Sequence, residues 1–144
     1  MPYIKIWIHL IFSTKTRDKL ISKQLKPQLL KHIKENSIEK NIYIDFMNCV
    51  SDHIHLLISL NSEQTVSKVT QLIKGESSHW INKSNLIHTK FEWQDEYIAV
   101  SIGHSQVNRV RDYIKSQEEH HRKKTFKEEY DEFIDKYGFE IIGN

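Results

Sequence analysis

The chain has 144 residues, 38% of them hydrophobic and 10% aromatic, which fits one globular domain with its own core and excludes a disordered polyelectrolyte. A formal charge of +2 excludes a uniform polycation, so any nucleic-acid contact must come from local patches. The single cysteine, Cys49, excludes an internal disulfide framework and suits a reducing compartment.

The N-terminal MPYIKIWIHLIFS is apolar but carries Lys5 and His9 and lacks a small-residue cleavage site, so it reads as a strand, not a signal peptide. No run approaches membrane-spanning length, and a cytoplasmic protein with no membrane partner is expected. Ile4, Ile6, Ile8, Leu10 and Phe12 alternate strictly, which is strand periodicity; Tyr3, Trp7, His9 and Ile11 face the other way. KTRDK (15–19) is a charged turn. From Ser22 to about Lys40, Leu25, Leu29, Leu30 and Ile33 recur at helical spacing, with Pro27 tolerable only near the start. NIYIDFMNCV returns to strand, and DHIHLLISL follows after a short turn at Ser51-Asp52, so the two read as a hairpin.

Residues 63–82 are helical, with Val66, Val69, Leu72, Ile73 and Trp80 on one side. EYIAVSI (96–102) makes a fourth strand. After Gly103 a helix is predicted from about Ser105 through VNRVRDYIKSQEEHHRKK, and TFKEEYDEFIDKYGF is an acidic amphipathic end. The order β-α-β-β-α-β followed by helices is that of an α+β, ferredoxin-like (split βαβ) sandwich with an antiparallel sheet.

Within the third strand, His53, His55, Leu57 and Ser59 share one face and Ile54, Leu56, Ile58 and Leu60 the other. Residues two apart lie roughly 6–7 Å from each other on a strand, so two imidazoles can converge on one metal ion. The pair alone is a weak signal, because a metal site needs a further ligand. Without a metal, the two are ordinary surface or half-buried histidines. On the helix that follows the fourth strand, Val107, Val110 and Ile114 form an apolar stripe. Gln106, Tyr113, Gln117 and His120 lie along its edge, pointing at the histidine pair if the helix covers that face. Taken singly, Tyr113 reads more readily as a core-edge aromatic and Gln117 as a solvated helix residue.

Jointly these features resemble the HUH single-tyrosine transposases of the small insertion-sequence type, the REP-associated tyrosine transposases among them. The resemblance spans nearly the whole chain: the opening strand running into STKTR, Asp52 before His53-Ile54-His55, the FEWQDEY segment, Tyr113 with Gln117 four residues on, QEEHH and the FKEEY tail. Ser51 is a departure, since many relatives have Pro there, and it touches turn stiffness rather than chemistry. The resemblance implies one domain over 1–144, with a β-α-β-β-α-β core at 1–104, a tyrosine helix at 105–124 and a helical tail at 125–144.

It also implies an enzyme, a metal-dependent single-strand DNA endonuclease and strand transferase. Tyr113 would be the nucleophile, giving a 5′-phosphotyrosine and a free 3′-hydroxyl. His53, His55 and Gln117 would hold Mg²⁺ or Mn²⁺, with no small-molecule cofactor. Single-stranded DNA with hairpin ends would be the partner, and the protein would act as a homodimer whose tyrosine serves in cis or in trans. His120 could stand near the metal or the DNA. Lys15, Arg17, Lys68, Lys74, Arg109 and Arg111 are candidate phosphate contacts, though most of them read as solvated surface charges. Trp7, Trp80, Trp93 and Tyr97 could stack on unpaired bases. The rival functions are a non-catalytic single-stranded nucleic-acid-binding domain and a metal-dependent phosphohydrolase that makes no use of Tyr113.

Overall fold

The expected strands form one antiparallel sheet in a computed structural model of the chain, which describes residues 2–137, with the side chains at 120–122 and 137 outside that description. The strands are β1 (Ile6–Ser13), β2 (Tyr43–Cys49), β3 (His53–Leu60) and β4 (Ile98–Ile102), and they lie in the order β2-β3-β1-β4. The helices α1 (Leu25–Glu39) and α2 (Val66–Lys83) connect β1 to β2 and β3 to β4, as a split βαβ sandwich requires. After β4 come α3 (Val107–Lys115), α4 (Gln117–Lys123) and α5 (Phe126–Tyr137). Among the described residues no helix is long and apolar enough to cross a membrane.

Strand alternation sends the two sets of side chains to opposite faces. Ile8, Leu10 and Phe12 of β1 and Ile54, Leu56, Ile58 and Leu60 of β3 meet Leu25, Leu29 and Ile33 of α1 and Val69, Ile73 and Ile81 of α2 in the main core. The opposite face carries a smaller cluster of Trp7, Leu57, Val107 and Ile114, and another of Ile11, Ile98, Val100 and Phe126. Between these two apolar patches lie His9, His53 and His55, covered by the C-terminal helices.

α1 begins three residues later than its predicted start. The Ser22 hydroxyl accepts the Leu25 N–H at 3.0 Å, so Ser22 caps the first turn from outside. Pro27 then stands where its missing N–H has no helical partner to lose. β2 has a register irregularity between Ile44 and Phe46, and a bulge of this kind re-aims the side chain it frees. Asp45 sits there, and it takes two hydrogen bonds from Arg111 of α3, at 2.6 and 2.7 Å.

The single tyrosine helix predicted over 105–124 is in fact two helices that part at Ser116. Asn48 Nδ2 of β2 donates to the carbonyls of Ile114 (2.9 Å) and Lys115 (3.3 Å), while the Gln117 side chain donates to the Tyr113 carbonyl at 3.3 Å. Side chains thus take the carbonyls that a continuing helix would use, and the helix ends.

Candidate active site and metal centre

His53 and His55 are each fully buried, side by side on β3 with ring centroids 5.1 Å apart. Each ring has one nitrogen held from behind. His53 Nδ1 lies 2.8 Å from Asp52 Oδ1, and His55 Nδ1 lies 2.9 Å from His9 Nε2 on β1. A carboxylate only accepts, so Asp52 keeps the proton on His53 Nδ1 and leaves the Nε2 lone pair for another partner.

Gln117, predicted as a third ligand, is fully buried at the start of α4 with Oε1 3.4 Å from His53 Nε2. The break after α3 turns this side chain inward. Tyr113, the predicted nucleophile, stands on α3 of the same chain with its ring 5.7 Å from His55 and 6.0 Å from His9. α3 is fastened to its own sheet by the Arg111–Asp45 pair and by Asn48, which keeps Tyr113 against its own histidines.

One site residue was not foreseen. Glu129 of α5 is 6% exposed and brings Oε1 to 2.8 Å from His55 Nε2 and 3.7 Å from His53 Nε2. His53, His55 and Glu129 each offer one ligand atom, all within 4.8 Å of one another. That is compatible with a common ion at bond lengths of about 2.0–2.2 Å. Glu129 Oε1 is buried yet has no hydrogen bond of acceptable angle among the described residues, despite its closeness to His55. The observation fits a carboxylate oxygen placed to share a third point with the imidazoles. A readable signal existed: Phe126, Glu129, Tyr130 and Phe133 recur at helical spacing, and an acid inside such a stripe marks a buried charge with a task.

Electrostatics follow from this crowding. Burial pushes the Tyr113 hydroxyl well above the ordinary phenol range, and the Glu129 charge adds to it; the hydroxyl interacts with both Gln117 and Glu129. Burial would raise the Glu129 carboxyl, but His55, His53 and the Tyr113 hydroxyl outweigh it and hold the group below the usual carboxylate value. His9 is lowered well below the ordinary imidazole value, by burial first and by His55 second. The phenol is therefore hard to ionise in this arrangement.

The predicted phosphate contacts fall in different places. Arg109 is exposed and lines a cavity of about 260 Å³ with His9, Tyr113, Phe133 and Lys136. Arg17 follows Thr16 in two successive left-handed residues (φ 57° and 56°) and lies over the Phe126 and Tyr130 rings, beside the site. Lys15 pairs with Glu92 at 3.3 Å, and Lys68 is exposed in the first turn of α2. Lys74 donates to the Gln94 and Asp95 carbonyls, and Arg111 is engaged by Asp45. Trp7 and Trp93 are buried, Trp80 is half-buried and stacked on His32, and Tyr97 is exposed. The side chain of His120, predicted near the metal or the DNA, lies outside the described residues.

The sequence model of the family described as "Transposase IS200 like" matches residues 3–117. Among solved structures, the chain is similar to a Deinococcus radiodurans protein described as a candidate transposase, at 16% identity and a TM-score of 0.66, over 81% of this chain and 93% of that one. It is also similar to a REP-associated tyrosine transposase bound to a REP hairpin, at 20% identity and a TM-score of 0.62, over 84% of this chain and 72% of that one. At such identities these two likenesses concern the fold. No curated protein matches the sequence.

Proposed function

Given that the chain belongs to the IS200-like transposase family, we propose that it nicks and rejoins single-stranded DNA beside hairpins, as one catalytic domain, through a 5′-phosphotyrosine formed on Tyr113. The observation that carries this reading is the convergence of Tyr113, His53, His55 and Gln117, from three elements of one chain, on a single buried point. The hairpin is proposed because a REP-associated tyrosine transposase of like fold is bound to one.

The Tyr113 oxygen gives up its proton and attacks phosphorus; the new O–P bond forms as the P–O3′ bond breaks, and the 3′-oxygen takes a proton and leaves as a hydroxyl. The bond energy stays in the adduct, so a second 3′-hydroxyl can reverse the step without ATP. His53 Nε2, His55 Nε2 and the Gln117 carbonyl would hold Mg²⁺ or Mn²⁺, with Glu129 as a fourth donor. Such an ion, when bound, polarises the phosphate and offsets charge developing on it. Asp52 orients His53, and Gln117 sits by the Tyr113 hydroxyl as well as by His53. Arg109, exposed beside the Tyr113 cavity, is the basic residue best placed to meet the backbone on one side, and Arg17 on the other.

The tethering of α3 supports chemistry in cis. A homodimer that exchanges tyrosine helices would first break the Arg111–Asp45 pair and the Asn48 cap. Free, buried Cys49 suits a reducing compartment such as the cytoplasm.

The test is incubation with a labelled single-stranded oligonucleotide carrying a hairpin, in Mg²⁺ or Mn²⁺. A protein–DNA adduct that survives denaturant is expected, and Tyr113→Phe should reduce it by about 10³-fold or more, the scale on which loss of a nucleophile acts. Cleavage without an adduct, undiminished in Tyr113→Phe, would mean a phosphohydrolase; binding without cleavage would mean a non-catalytic module.

A further inference from the structure

The two histidines at the centre of the site are supported from behind by different kinds of group, and the difference has a chemical meaning. His53 leans on Asp52, which can only accept. His55 leans on His9, whose Nε2 lies 2.9 Å from His55 Nδ1. An imidazole nitrogen accepts or donates according to its tautomer, so this contact does not by itself fix where the His55 proton sits.

The geometry restricts the choice. His9 is 3% exposed and His55 fully buried. The two rings are 5.1 Å apart, as diagonal neighbours across the β1–β3 pairing in which Ile11 faces His55 and His9 faces Leu57. Trp7 and Ile11 flank His9 on the same sheet face, both buried. A polar ring at this position disrupts an otherwise apolar row, and its Nε2 meets the buried nitrogen of His55. Glu129 Oε1, 2.8 Å from His55 Nε2, can only accept and so favours a proton on Nε2. For His55 to give its Nε2 lone pair to a cation instead, the proton must sit on Nδ1, and His9 Nε2 must then accept it.

We propose that His9 is a positioning residue: its Nε2 accepts from His55 Nδ1, which commits the Nε2 lone pair of His55 to the cation. This rests on the metal-dependent function proposed above and adds the residue that prepares its second imidazole. The two ligands are then unequal. His53 is backed by a carboxylate, which can only accept and so holds the proton on Nδ1. His55, backed by a neutral acceptor, is the donor whose readiness His9 decides.

The test separates this assignment from the function it rests on, because neither readout needs DNA or turnover. The first is Mn²⁺ affinity by titration calorimetry. His9→Leu, which fills the space without an acceptor, should weaken binding by about 10–100-fold, the range for lost partners of metal ligands. His9→Gln, whose carbonyl can reach the position of Nε2, should recover most of it. The second readout uses the unaltered protein, loaded with Zn²⁺ as a diamagnetic probe and labelled with ¹⁵N. Nuclear magnetic resonance should find the His55 proton on Nδ1, with a scalar coupling across the hydrogen bond to His9 Nε2. A Leu variant that folds and binds Mn²⁺ as tightly as the parent overturns the assignment. So does a His55 proton on Nε2 in the Zn²⁺ form, and that second result stands even if the Leu variant does not fold. A parent protein that binds neither ion overturns the metal centre and His9's role with it.

Discussion

The two faces of the sheet use the same strands for opposite ends. On one, Leu10, Phe12, Ile54, Leu56 and Ile58 pack against α1 and α2, and every buried side chain there gains by leaving water. On the other, β1 and β3 bury His9, His53 and His55, and helices from after β4 add Gln117 and Glu129, all 6% exposed or less. Buried polar groups cost free energy unless partnered. Asp52, His9 and Gln117 supply partners, and the apolar patches of Trp7–Leu57 and Ile11–Val100 on either side supply the packing. The fold is thus stabilised chiefly by one face, while the other gathers mutually partnered polar groups around one point.

Two adjacent residues sharpen that division, since their side chains point to opposite faces. His55→Gln should lower Mn²⁺ affinity by more than about 100-fold, beyond the range for outer partners of a ligand. Leu56→Ala should cost about 2–5 kcal/mol of unfolding free energy, as truncations of fully buried leucines do, while leaving Mn²⁺ affinity within a few-fold of the parent below its melting temperature. Denaturant unfolding and titration calorimetry measure the two. If Leu56→Ala weakened ion binding as much as His55→Gln, the faces would not be separable and the comparison would fail.

How much of this could be read from the residues depended on whether the signal was local. Strand alternation at Ile8–Phe12 and Ile54–Leu60 placed both faces correctly, and the β-α-β-β-α-β order led to the sheet order. The resemblance brought Tyr113 and Gln117 to the same site as the histidine pair. What was missed is tertiary. The break at Ser116 depends on Asn48, 66 residues before the carbonyl it takes, and no helix-breaking residue marks the place. His9 was on the right face but carried no motif, because its task exists only once β1 pairs with β3. Glu129 sits in a helix whose docking no spacing announces, and its only trace was an acid among Phe126, Tyr130 and Phe133.

The smallest expected effect concerns what joins the two regions, the clamp between Asp45 and Arg111. The Arg111 guanidinium beside Asp45 holds its carboxyl below the usual carboxylate range, chiefly through the hydrogen bonds they share. A depressed folded value means that the clamp's contribution is fully present above the ordinary carboxylate pKa of about 4 and fades as pH falls below it. Asp45→Asn should therefore lower the melting temperature at pH 7 by only about 2 °C or less, since the Arg111 side chain is 41% exposed and screened. The gap from the parent should narrow as pH falls below about 4 and close only below the depressed folded value, where the folded parent also loses the charge. Because α3 carries Tyr113, the same substitution should loosen the nucleophile more than it loosens the fold. At pH 7 adduct formation on the hairpin oligonucleotide should slow, with Mn²⁺ affinity unchanged. A melting difference constant from pH 3 to pH 7 would mean that Asp45 acts by shape alone, and a loss of Mn²⁺ affinity would mean that the clamp orders the whole site and not the tyrosine helix.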